Sequence, residues 1–101
     1  MCLVCSRALT IIHCVLYIEW TLVSENLECG GSEIRKELIP NAEVQDCARE
    51  CEGVSSMFIF APELNACYCE TSATPEGTCD VVAIQGYHLY KYSNLGRLLI
   101  I

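Results

Sequence analysis

Nine cysteines, two histidines and five tyrosines in 101 residues are the side chains here that could do chemistry. Cys47 and Cys51 stand four apart, and Cys67 and Cys69 two apart, so these four sulfurs could bind zinc as thiolates or close as disulfides. Spacing favours bridges. Structural zinc sites more often use pairs two residues apart in tight knuckles, whereas such a pair on an extended strand gives an awkward bite. Nucleophilic catalysis needs a base beside its nucleophile, yet the histidines are His13, in the apolar N-terminal segment, and His88, among tyrosines near the other end. No glycine-rich phosphate loop, paired-histidine metal motif or Ser-x-Gly elbow occurs. Glu50, Glu52, Glu63, Glu70 and Glu76 lack the alternating spacing of a calcium loop and are expected to form a solvated acidic surface. Neither enzymatic activity nor a cofactor is expected; the alternatives are a cysteine-ligated zinc-binding domain and a small secreted effector or hydrolase.

Composition narrows the class further. The chain is 52% hydrophobic and 19% charged, with a net charge of −7, so it has the length of one domain and too much apolar content for disorder. A pI near 4.6 leaves no electrostatic footprint for nucleic acid and disfavours acidic membrane surfaces. Cysteine at this density points to an oxidising compartment, because cytosolic thiols are kept reduced.

The apolar residues are concentrated at the start. Arg7 is the only charge before Glu19, and Ala8 to Ile18 form an apolar run of the length a secretory signal peptide needs, too short for a spanning helix. Residues 1–24 are therefore expected to be a signal peptide, with Leu22-Val23-Ser24 as the best cleavage end; the alternative is a signal anchor through residues 8–23, the one route to a membrane. Cys2, Cys5 and Cys14 belong to this segment. Six cysteines then remain, an even number suited to three bridges.

From Cys29 to Ser93 there are ten acidic and four basic residues, a net of −6. Val44, Cys47, Ala48 and Cys51 recur at i, i+3, i+4 and i+7, which predicts a helix over residues 42–52 with Asn41 capping its start and Gly53 its end. Met57-Phe58-Ile59-Phe60 predicts a strand, residues 61–65 a turn, residues 66–70 a second strand and residues 71–78 a loop. A last strand is expected from residue 82 or 83 to 92, broken at Gly86, with Tyr87, Leu89 and Lys91 on one face and His88, Tyr90 and Tyr92 on the other. Residues 27–29 could add one more. The expected fold is a small disulfide-rich α+β module over residues 27–93, one helix packed on a short, mainly antiparallel sheet, followed by an apolar tail at 94–101.

Spacing then predicts connectivity. Four residues on a helix rise about 6 Å and share a face, while two on a strand advance about 6.6 Å and also share a face. A helix lying along that strand could form two parallel rungs. With the chain running up the helix, down residues 57–60 and up again, Cys47 meets Cys67 and Cys51 meets Cys69. Cys29 and Cys79 are left to close the outer loop. Loops of this size contribute on the order of 3 to 4 kcal/mol each in the chain-entropy model, which is decisive for a domain whose core alone is marginal.

The order Cys29, Cys47-Ala-Arg-Glu-Cys51, Met57-Phe58-Ile59-Phe60, Ala66-Cys67-Tyr68, Cys79 and Gly86-Tyr87-His88-Leu89-Tyr90 resembles a PAN/apple-like module over about Cys29 to Tyr92. The resemblance implies pairing of the first and last cysteines, and of the first helix cysteine with that of the later strand. This chain departs from the pattern where Ser55 or Ser56 replaces the family's cysteine ahead of the aromatic strand, and Cys69 is the substitute partner for Cys51. Its Cys67-Tyr68-Cys69 order is also similar to the WSC domain, although Glu70 stands where that domain has glycine. Either resemblance implies a secreted module for recognition or adhesion, taking an extracellular protein or glycan.

The aromatic residues are the candidate ligand contacts. If Cys67 and Cys69 face the helix, Tyr68 points to the opposite sheet face, where it could stack on a sugar or pack on a protein. Tyr90 and Tyr92 with His88, or alternatively Tyr87, could extend that surface. The competing reading is that the tyrosines simply cover the sheet.

Overall fold

The computed structural model describes residues 2–8, 11–93 and 98–100, with side chains described over 18–93. Among the described residues ten strands and one α-helix follow in order: β1 Cys2–Ala8, β2 Ile11–Tyr17, β3 Trp20–Ser24, β4 Leu27–Cys29, β5 Ile34–Lys36, α1 Val44–Cys51, β6 Met57–Ala61, β7 Ala66–Cys69, β8 Val81–Ala83, β9 His88–Tyr92 and β10 Leu98–Ile100. They form a five-stranded sheet in the order β3-β9-β6-β7-β5, a ribbon β4-β8 and a three-stranded sheet β10-β1-β2. The five-stranded sheet is antiparallel throughout, and α1 packs on its β6 and β7 strands. This is the small disulfide-rich α+β module that the sequence predicts.

The helix is shorter than its apolar period suggests. It begins at Val44, and its cap is Glu43, whose backbone N–H donates to the Asp46 carboxylate at 2.8 Å. Asn41, the expected cap, instead takes a left-handed turn with φ +56°. Asn65 anchors this approach to the helix: its side chain accepts from the Ala42 N–H and donates to the Ile39 carbonyl, both at 2.9 Å. Gly53 ends the helix as expected, with the positive φ that a residue carrying Cβ resists.

Every residue of β6 is buried, as expected of a central strand covered on both faces. Its alternating side chains build two cores. Phe58 and Phe60 join Cys47, Ala48, Cys51, Cys67 and Cys69 beneath α1, and Met57 and Ile59 join Cys29 and Leu89 on the second face. The last strand is broken at Gly86, as the sequence suggests, into two strands of different sheets. Gly86, with φ +88°, separates β8, which leaves to pair with β4, from β9.

Two strands of the central sheet lie where the sequence reading placed none. Ile34–Lys36 forms β5, an edge strand paired in register with Lys36 opposite Cys67 and Ile34 opposite Cys69. Trp20–Ser24, within the expected leader and ahead of the expected module start at residue 27, forms the other edge, pairing Trp20 with Tyr92 and Leu22 with Tyr90. Ile18 and Trp20 pack against the core under the helix. The apolar run that reads as a leader thus also supplies a strand, because β9 has a free edge and Trp20 has apolar surface to bury there. Of the expected tail, 94–97 and 101 lie outside the described residues, and Leu98–Ile100 runs parallel to β1.

Candidate functional site

All six cysteines of the module are paired. Cys47–Cys67, Cys51–Cys69 and Cys29–Cys79 have Cα–Cα distances of 5.4, 5.2 and 5.5 Å, the connectivity that the matched rises of helix and strand predict. The two rungs are fully buried, and the Cys51 and Cys67 sulfurs of adjacent rungs lie 3.7 Å apart. Cys47, Cys51 and Cys67 also bring three sulfurs within 4.8 Å of one another, the closest approach to a metal cluster among the described residues. Bonded as disulfides they offer no thiolate, the form in which cysteine binds zinc. Three disulfides belong to an oxidising compartment, and among the described residues no helix is long and apolar enough to cross a membrane.

The rungs fix which way β7 faces. With Cys67 and Cys69 turned to α1, Tyr68 and Glu70 alternate to the second face. Tyr68 stacks there on Tyr87, ring centroids 5.7 Å apart and planes within 18°. The Arg35 guanidinium, across from Tyr68 in the β5–β7 register, stands 5.9 Å from the Tyr68 ring centroid, a cation–π distance. Both tyrosines are half-buried, so each ring keeps surface to offer. The neighbouring Tyr68 phenol, reinforced by burial and by the Glu28 and Glu33 carboxylates, pushes the Tyr87 hydroxyl up to about 12.

The other three candidates lie elsewhere. Tyr90 and Tyr92 face the helix, stacked or tilted on Phe58 at centroid distances of 5.2 and 5.1 Å. The Tyr92 hydroxyl donates to the Ala48 carbonyl of α1, and burial raises its ionisation well above the ordinary phenol value. These rings fill the core. His88 shares their face of β9 and opposes Phe60, its Nδ1 buried without a hydrogen-bond partner. The five aromatic candidates therefore divide between two faces, and only Tyr68 and Tyr87 come together where a ligand could reach.

Glu70 corrects the sequence reading most. Expected on a solvated surface, it is 0% exposed, and neither carboxylate oxygen has a well-formed hydrogen bond. Burial, and then the negative charges of Glu33 and Glu28, push its carboxyl up to about 8, opposed only in part by the nearby Cys29 amide. Glu70 is therefore mainly a neutral acid at pH 7. A loop closes over this corner. The Ser72 N–H donates to the Ser32 carbonyl at 3.1 Å, the Ser72 hydroxyl to the Gly30 carbonyl at 3.1 Å, and the Thr71 hydroxyl to Ser32 Oγ at 3.0 Å. Gly31 permits that approach: its φ is +114°, and a Cβ there would lie 2.8 Å from the Ser72 Cβ. Strand alternation held the signal for Glu70, since a residue two beyond Tyr68 shares its face.

Glu28, Glu33 and Glu70 do not converge on a point. Among the described residues, only the three sulfurs bring metal-ligating atoms within 4.8 Å of one another. What the second face assembles is a pair of stacked phenol rings bordered by carboxylates, on a sheet held rigid by disulfides. Comparison with protein-family models, curated proteins and solved structures finds no match.

Proposed function

We propose that this chain is a secreted, non-enzymatic recognition module, PAN/apple-like in organisation, that binds an extracellular protein or glycan through the face carrying Tyr68 and Tyr87. The observation that carries the reading is the stacked Tyr68–Tyr87 pair, half-exposed on the face opposite the stapled helix. Stacked rings on a rigid support bind with little loss of side-chain freedom, and aromatic faces suit both sugar rings and protein side chains. A depression of about 220 Å³ near the end of the helix is lined by Glu52, Ser55, Ser56, Glu76 and Tyr92 among others. The Ser55 and Ser56 hydroxyls there donate to the Met57 and Thr74 carbonyls, and no histidine stands in the lining to activate them. That supports binding over hydrolysis.

Glycan-array and pull-down binding by the oxidised protein tests the proposal. Retention of a ligand that disappears in the Tyr68→Ala/Tyr87→Ala double variant is the expected result. Absence of binding in both assays, together with measurable turnover of a substrate, would reject it.

A further inference from the structure

Glu70 is not explained by the aromatic face alone. A fully buried carboxyl with neither oxygen well hydrogen-bonded is costly wherever it ionises, and here the negative charges of Glu33 and Glu28 add to that cost. The same two, Glu28 and Glu33, act on Tyr87, which stacks on Tyr68, the residue two before Glu70, in an arrangement of rings and acids on one face of the sheet. Backbone contacts make it compact: the Leu27 N–H donates to the Tyr87 carbonyl at 3.0 Å, which brings Glu28 beside Tyr87, and β5 places Arg35 opposite Tyr68.

Resting on the recognition reading, we propose that this face seats a lysine or arginine side chain of a basic protein ligand against Tyr68 and Tyr87, and that Glu70 gives up its proton when that cation arrives. The O–H bond of the carboxylic acid breaks, the proton passes to solvent, and the resulting carboxylate adds its charge to those of Glu28 and Glu33.

Three observations favour this occupant. Phenol rings bordered by carboxylates attract a cation through both the ring face and the negative field. Arg35 already shows that the Tyr68 ring accepts a guanidinium, from within the chain. The net charge of −7 is complementary to a basic partner. A small divalent ion would require the three carboxylates to converge, which they do not. The charged and titratable groups facing Glu70 are Glu28 on β4 and Glu33 in the loop before β5; Arg35, Tyr68 and Tyr87 stand at the adjoining ring pair, and the strand on the other side contributes the Met57 carbonyl, which accepts from the Glu70 N–H.

A proton lost on binding makes affinity rise with pH. An opposite charge nearby lowers a carboxyl by at least one unit, so the wild-type protein should bind a hexalysine peptide about tenfold more tightly at pH 9 than at pH 6, at constant low ionic strength. Lysine stays charged across this range. Glu70→Gln, which keeps the shape and cannot ionise, should bind with the pH 6 affinity at both values. Glu28→Gln/Glu33→Gln, on side chains that reach solvent, and Tyr68→Leu/Tyr87→Leu should each weaken binding, while the remote Glu63→Gln/Glu76→Gln should not. An unchanged pH dependence in Glu70→Gln, or equal loss from the remote pair, would overturn the proposal. If a neutral glycan instead binds through the tyrosines with no dependence on Glu70, the recognition reading stands and the cationic ligand is refuted.

Discussion

At the scale of single residues, Glu70 sets the pH response of the fold. Its carboxyl titrates near 8 in the native state and near the ordinary value of 4.5 once the chain is unfolded. Between these values the native state holds a proton that the unfolded state has lost, so stability falls as pH rises through that window. We expect the wild-type melting temperature to drop by roughly 5 °C or more from pH 5 to pH 9, and Glu70→Gln to remove most of that drop, as scanning calorimetry would show. Gly31→Ala tests the loop above it. A Cβ 2.8 Å from Ser72, at a φ that side chains resist, should cost about 2 kcal/mol in a denaturant titration. Tyr92→Phe is milder. The Ala48 carbonyl keeps the Glu52 N–H as a donor, so the loss should be about 1 kcal/mol.

The helix and its rungs are the elements that were legible in the sequence. Apolar residues at i, i+3, i+4 and i+7, set against two cysteines at strand spacing, carry both the helix and its partner strand, because each period has one physical meaning. Short edge strands carry no such period. Ile34–Lys36 is three residues long with two of them charged, and only its pairing with β7 makes it a strand. Trp20–Ser24 is hidden differently, since it continues an apolar run whose composition reads as a leader; Leu22 and Val23 are 48% and 45% exposed, as suits an edge. A protein beginning at Glu25 would leave the β9 edge unpaired and uncover the core where Ile18 and Trp20 now pack. Such a truncation should melt lower and associate with increasing concentration in sedimentation experiments, whereas one beginning at Ile18 should stay monomeric.

At the scale of the whole molecule, one face of the sheet is sewn to the helix and the other carries a second core, with Tyr68 and Tyr87 packed against it. The division follows from the rungs: if Cys67 and Cys69 turn toward α1, then Tyr68 and Glu70 must turn away, and Tyr87, just ahead of β9, stacks on Tyr68 there. Sequence reasoning reached Tyr68 by this route. Alternation put Tyr87 on one face of the last strand and Tyr90 and Tyr92 on the other, but it could not say which set joins Tyr68, because that depends on how β9 packs in the sheet and on what covers it. The burial of Glu70 was equally out of reach, since it is made by a loop closing from residues about forty positions earlier. The most direct test is therefore the connectivity itself, by peptide mapping of the oxidised protein under non-reducing conditions. Cleavage after Arg49 and after Tyr68 separates the cysteines of each pair, and the account predicts Cys29–Cys79, Cys47–Cys67 and Cys51–Cys69. A Cys29–Cys47 link, or the crossed pairs Cys47–Cys69 and Cys51–Cys67, would contradict it.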